Sequence, residues 1–222
     1  MSSCRVSSIA LAAPPACRRP ASERVTRRGL NVLLSRDLFD TIFMRIAISG
    51  THLSGKSPLL EELSRLLPNY LAVEEPYYLL MEEGHELSDP PSIEDFELQL
   101  ERSIEILQED ESDVLFDRCP ADLLAYLLTH EESGAFDLKG WMPRVEAAVE
   151  TLDLIVFLPI ERRDRIPLPS SEDAEFRTLV NEKLREILLE SLFGFDVAVV
   201  EVTGPLQERA RQVMAYLRGR GA

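Results

Sequence analysis

The sequence predicts an α/β domain in three layers, a doubly wound sheet of five parallel strands between two layers of helices. Three observations carry that expectation. Five short apolar runs punctuate the chain, at residues 44–49, 70–74, 113–117, 153–158 and 197–202. Helical patterns separate them, with neither an internal repeat nor a second linker, as in sheets built from crossover units. The chain has 222 residues, enough for one such domain with a core of its own.

The first run, Ile46-Ala47-Ile48, leads into Gly50-Thr51-His52-Leu53-Ser54-Gly55-Lys56-Ser57, and a helical stretch from Leu59 to Leu67 follows. The eight residues match G-x-x-x-x-G-K-[ST]. A phosphate needs a ring of backbone N–H donors, and glycines let the main chain curl closely around it. The following helix points its positive end at the same anion. Gly50, His52, Ser54, Gly55, Lys56 and Ser57 are therefore the expected nucleotide contacts. Lys56 is expected to reach the β- and γ-phosphates, and the Ser57 hydroxyl to hold Mg²⁺. A chance match in a Gly/Ser loop would lack the strand before it and the helix after it.

In parallel sheets ligands gather beyond the carboxyl ends of the strands, so the residues just after each run matter most. The second run ends in Glu74-Glu75-Pro76-Tyr77-Tyr78. Adjacent strand residues face opposite ways, and Glu75 is taken as the carboxylate that faces an acceptor and takes or orients its proton. Tyr77 and Tyr78 suit stacking on a base or sugar, or plain packing. Pro90-Pro91 sets the entry to a helix over 92–109. Ser92 and Asp95 form its capping signal, and Ile93, Phe96, Leu100, Ile104 and Leu107 share its inner face. Gln99 on this helix either reads an amide or base edge or, as the plainer expectation, is exposed.

The third run closes in Leu115-Phe116-Asp117-Arg118, a Walker B pattern in which Asp117 supports Mg²⁺. Arg118 either extends toward the phosphates and acceptor or forms a surface ion pair, and Asp122 reads as an acid at a helix start. After the fourth run, Arg162, Arg163 and Arg165 precede Pro167-Leu168-Pro169-Ser170-Ser171 and read as a mobile lid. Arg162 and Arg165 are its candidate phosphate ligands, since arginine forks suit phosphoryl oxygens; a solvated charge run is the alternative. A helix over 173–192 turns Phe176, Val180, Leu184, Ile187 and Leu188 inward and ends near Gly194, with Arg177 a possible addition to the lid cluster. The fifth run ends at Thr203-Gly204-Pro205, a turn where Gly204 lets the backbone pass close to an adenine ring. A last helix over 206–217 closes the domain.

Charge is unevenly distributed. The chain carries −15, but residues 1–43 hold seven arginines against three acids, a net of +4 that leaves −19 for the rest. That segment, rich in Ser, Ala, Pro and Arg, reads either as a disordered basic extension resembling a transit peptide or as the product of a start assigned upstream of Met44. The folded domain is expected over 44–222. An acidic domain argues against a nucleic-acid partner, and no apolar run reaches the roughly 18–20 residues of a membrane span. Cys4, Cys17 and Cys119 form no C-x-x-C pair and read as free thiols in a reducing compartment, so a cytoplasmic location is expected.

Together these residues resemble the P-loop nucleoside and nucleotide kinases, most closely the ATP-binding domain of the nicotinamide riboside kinase (NadR-like AAA) group, with deoxynucleoside kinases a second likeness. The resemblance rests on residues 50–57, Glu75-Pro76, Asp117-Arg118 followed by Pro120, Asp122 and Tyr126, the lid arginines, and Thr203-Gly204-Pro205. It implies ATP with Mg²⁺ and transfer of the γ-phosphoryl group to a small, nucleoside-like acceptor. In it Lys56 and Ser57 hold phosphate and metal, Asp117 supports the metal and assists the acceptor, Glu75 is the acceptor-side carboxylate, and Arg118, Arg162 and Arg165 steady the phosphates. A homodimer is compatible with it. Two other classes stay open: a nucleotide-dependent regulatory ATPase or switch without an acceptor, and a kinase relic that only binds nucleotide. One departure stands out. Pro58 occupies a position where such kinases usually offer an N–H to the α-phosphate, which predicts weaker nucleotide affinity.

Overall fold

A computed structural model describes residues 44–161 and 173–220. Its sheet has five parallel strands in the order β2-β3-β1-β4-β5: β1 Arg45–Ser49, β2 Leu71–Val73, β3 Val114–Asp117, β4 Leu154–Phe157 and β5 Ala198–Glu201. Each lies within a residue of the ends of its apolar run. The three central strands are buried on both faces, which is why they read as unbroken apolar runs. The two edge strands are short and partly exposed.

Side chains alternate across the sheet and build two cores. Ile46, Ile48, Leu115, Leu154 and Val156 meet Leu59 and Leu63 of α1 (Lys56–Leu66) and Val213 and Leu217 of α7 (Leu206–Arg220) on one face. Ala47, Phe116, Ile155 and Phe157 point to the other face. There they join α3 (Ile93–Leu107), α4 (Pro120–Thr129), α5 (Leu138–Val149) and α6 (Ala174–Leu188). This is the expected three-layer, doubly wound α/β fold. A short α2 (Pro76–Glu82) follows β2 and packs on α3. Among the described residues no helix is long and apolar enough to cross a membrane.

Helix boundaries follow local chemistry. The Ser92 hydroxyl accepts from the Asp95 N–H while the Asp95 carboxylate accepts from the Ser92 N–H, a complete capping box. The predicted inner face of α3 is buried throughout. Gln99 corrects the expectation of an exposed side chain: it is buried, and its amide donates to the Asp95 carbonyl at 3.2 Å. Helix α6 stops at Leu188, four residues short of the expected end. The chain turns left-handed at Ser191 (φ 55°), where the Leu192 N–H folds back to the Glu186 carbonyl at 3.0 Å. That closure stops the helix before Gly194 is reached.

Candidate active site

Strand β1 lies at the centre of the sheet between β3 and β4, and the glycine loop leaves its carboxyl end. The pairing register sets Ile48 beside Asp117 and Ser49 beside Phe157, so the loop opens level with the end of β3. Gly50 starts the loop at φ 155°. A Cβ there would lie 2.7 Å from both the Leu158 carbonyl oxygen and Ser54 Oγ, so only glycine fits. Gly55 caps α1 in the left-handed region, and Lys56, Ser57 and Pro58 form the helix's first turn. First-turn N–H groups have no partner within their helix and face outward along its axis. Lys56 and Ser57 supply two such donors; Pro58 supplies none.

The motif side chains converge beneath this loop. Ser57 Oγ donates to Asp117 Oδ2 at 2.8 Å. The other oxygen, Asp117 Oδ1, is buried and has no protein partner among the described residues. Lys56 is buried and donates from Nζ to the Thr51 carbonyl at 2.9 Å, curling across its own loop. Burial first, and the nearby Arg118 charge second, lower its pKa to about 8. A loop of amides backed by a buried ammonium is a cradle for a polyanion.

Glu75 and Arg118 meet on the adjoining side. Glu74 points to solvent, while Glu75 turns inward and accepts from Arg118 Nε through Oε1 at 2.5 Å. Burial alone would raise the Glu75 pKa, but the charges of Arg118 and Lys56, with the hydrogen bond from Arg118, outweigh it and bring the pKa below its ordinary value. Arg118 is no surface ion pair: it is 6% exposed and sits at φ 78°. Nη1 donates to the Gly50 carbonyl at 3.1 Å, and the guanidinium stacks over the Tyr126 ring at 5.2 Å. It thus joins Glu75 to the loop's first residue.

Several residues of this network make contacts that the sequence does not announce. Asp122 is wholly buried and does more than start a helix. Besides accepting from the Cys119 N–H at 3.1 Å, it accepts from the Gly50 N–H at 2.8 Å, tying β3–α4 to the loop. Burial pushes its pKa up despite nearby cations. The Tyr126 hydroxyl accepts from the His52 N–H at 2.8 Å and shares a second hydrogen bond with His52 Nδ1 at 3.1 Å. Burial, then the charges of Arg118, Arg177 and Lys56, lower the His52 pKa to about 4, so the ring is neutral at pH 7. The main-chain amides of Gly50 and His52 are therefore already committed to protein oxygens. This corrects the expectation that both face a nucleotide.

On the far side of the loop lies a cavity of about 230 Å³, bordered by Gly55, Pro58, Ile160, Gly204 and the side of the loop that Arg177 and Arg209 occupy. Gly204 sits at φ 99°, and its N–H donates to Glu161 Oε1 at 2.9 Å. Tyr77 and Tyr78 lie on α2, stacked edge to face on one another at 5.3 Å. Arg177 donates to the carbonyls of the glycine loop. Arg162, Arg163 and Arg165 and the rest of that segment lie outside the described residues, as do residues 1–43 with Cys4 and Cys17. Cys119 is a free, buried thiol whose pKa burial pushes well above its ordinary value.

Comparison with known proteins matches this arrangement. A family described as "AAA domain" matches over residues 45–209. No curated protein matches the sequence significantly. Among solved structures, deoxyadenosine kinase from M. mycoides with bound dATP superposes with a TM-score of 0.54 at 18% identity, covering 78% of this chain and 98% of that one. Thymidylate kinase from Candida albicans superposes with a TM-score of 0.55 at 20% identity, covering 80% and 92%. At such identities the likeness is one of fold. The chain belongs to this AAA domain family and has a P-loop kinase-like fold.

Proposed function

We propose that the chain binds ATP with Mg²⁺ and transfers the γ-phosphoryl group to the hydroxyl of a small, nucleoside-like acceptor. One observation carries this reading: the Ser57–Asp117 pair and the Glu75–Arg118 pair converge on the same glycine loop from neighbouring strand ends. A nucleotide switch needs the first pair but has no use for an acceptor-side carboxylate.

The oxygens fit the metal. Ser57 Oγ and the unpartnered Asp117 Oδ1 are hard donors, and no cluster of three or more His, Cys, Asp or Glu forms a cage among the described residues. Mg²⁺ suits such a partial site because it completes its shell with water and phosphate oxygens. When bound, it neutralises charge on the β- and γ-phosphates. Lys56, released from Thr51, reaches the same phosphates, and the amides of Gly55, Lys56 and Ser57 hold the polyphosphate tail. Gly204 borders the cavity in which the base lies. Arg118 holds Glu75 ionised, which makes it a weak base and a good hydrogen-bond acceptor, so it orients the acceptor hydroxyl. Arg162 and Arg165 are proposed to close over the phosphates and exclude water. The two superposed kinases act on deoxyadenosine and thymidylate by their names, which supports a nucleoside-like acceptor.

The test is incubation with γ-labelled ATP, Mg²⁺ and a pool of nucleosides and other small metabolites. Label on an acceptor is the expected outcome. Release as inorganic phosphate alone assigns the chain to regulatory ATPases. No turnover with retained nucleotide binding makes it a relic.

A further inference from the structure

Two arginines from outside the motif grip the glycine loop by its carbonyls. Arg177, in the first turns of α6, donates from Nε to the His52 carbonyl at 3.0 Å and from Nη2 to the Leu53 carbonyl at 3.3 Å. Arg209, on α7, donates from Nη1 to the Ser54 carbonyl at 2.7 Å and from Nη2 to Glu161 Oε1 at 2.9 Å. The two residues are 4% and 7% exposed. Burying a guanidinium is unfavourable unless acceptors are fixed around it, and here three consecutive loop carbonyls serve.

Peptide planarity gives this grip a consequence. The C=O of one residue and the N–H of the next point in opposite directions. Fixing the carbonyls of His52, Leu53 and Ser54 toward the arginines turns the N–H groups of Leu53, Ser54 and Gly55 away from them. The Ser54 N–H is taken up within the loop by the Thr51 carbonyl at 3.3 Å, so the amides of Leu53 and Gly55 are the ones the grip leaves to aim at a ligand. Leu53 sits at φ 56°, a conformation that a residue with a Cβ rarely adopts, so the loop does not keep this shape by its own preference. Glu161 also accepts from the Gly204 N–H, so Arg209 fastens the loop to the turn beside the cavity as well.

We infer that Arg177 and Arg209 are positioning residues for phosphate binding, holding the loop's carbonyls outward so that its amides stay aimed at a polyphosphate they do not themselves touch. The inference rests on the kinase reading only in taking a polyphosphate as the loop's ligand.

Mg²⁺-tripolyphosphate, which has neither base nor sugar, isolates the loop. Calorimetric affinities for it and for Mg²⁺-ATP are compared in the wild-type chain, Arg177→Met, Arg177→Lys and Arg209→Met, at a temperature where each is folded. Loss of a charge-assisted bond to a loop carbonyl weakens both ligands by about 10- to 100-fold and to a similar extent. Lysine keeps the charge but cannot span two carbonyls as a fork does, so Arg177→Lys falls near Arg177→Met. Wild-type affinity in Arg177→Lys means that charge alone suffices and overturns the inference. A loss confined to ATP means that the arginines touch base or sugar, and it also overturns the inference. A wild-type chain that binds neither ligand removes the kinase reading and this inference together, whereas variants that bind like wild type remove the inference alone. If the methionine variants fail to fold, Arg177→Lys carries the same comparison.

Discussion

Replacing Glu75 by glutamine keeps the shape of a buried pair but removes one of its charges. Arg118 then retains the Gly50 carbonyl at 3.1 Å, the face of Tyr126, and Asp122 Oδ1 at 3.8 Å, too long for a hydrogen bond. Stranding one member of a buried ion pair costs about 3–5 kcal/mol. Glu75 is 17% exposed and Asp122 supplies a second negative charge nearby, so the cost falls to the low end of that range or just below it, about 2–3 kcal/mol. For a domain of this size that corresponds to a melting point lower by roughly 5–10 °C. The pH dependence gives a second check. The folded pKa of Glu75 lies below its ordinary 4.5, so its stabilisation is present above that pH and is lost as the pH falls through the lower folded value. Denaturant unfolding at pH 7 should therefore separate wild type from Glu75→Gln by the full amount, and the gap should shrink in acid. The double variant Glu75→Gln/Arg118→Met should lose less than the two singles together. A difference under about 0.5 kcal/mol at pH 7, within the range of an ordinary surface substitution, would refute the pair's structural role.

Two further outcomes follow from the loop itself. Lys56 has a pKa of about 8, below its ordinary 10.5, so the folded chain binds fewer protons between those values and this group disfavours folding less as pH rises through them. A bound polyphosphate needs the ammonium, so nucleotide affinity should fall above about pH 8, and binding above that pH should take up protons. Calorimetry in buffers of different ionisation enthalpy reads this directly, Lys56→Ala should abolish Mg²⁺-dependent nucleotide binding, and affinity that stays flat from pH 7 to about 9.5 contradicts the role given to Lys56. Pro58→Thr adds an N–H at the third position of α1 without touching the core, so ATP should bind about 5- to 30-fold more tightly. An unchanged dissociation constant counts against the missing-donor explanation.

Much of the architecture was legible because it is written in short-range chemistry. The three central strands are buried on both faces, and unbroken apolar runs such as Leu154-Ile155-Val156-Phe157 announce that directly. Ser92 and Asp95 stand three residues apart and form their capping box within one turn. Gly50, Gly55, Lys56 and Ser57 mark the loop because phosphate cradles demand those residues at that spacing. Strand alternation implies only that one of Glu74 and Glu75 faces inward; the fold turns Glu75 toward Arg118 and leaves Glu74 exposed.

What the sequence could not reveal are contacts between residues far apart along the chain. Asp122 reaches Gly50 across 72 positions, and Arg209 reaches Ser54 across 155. Nothing local distinguishes Arg209 or Arg177 from other arginines on amphipathic helices, nor buried Gln99 from a solvated one. The identity of each residue sets what its side chain can do. Its burial and its partners depend on which elements the sheet brings together. The polypeptide alone therefore determined the strands, the caps and the phosphate loop, each specified over a few residues. Only the packed fold decided that Arg118 is buried against Glu75 and that the amides of Gly50 and His52 are already taken, since both facts require β3, α4 and the loop to meet in space.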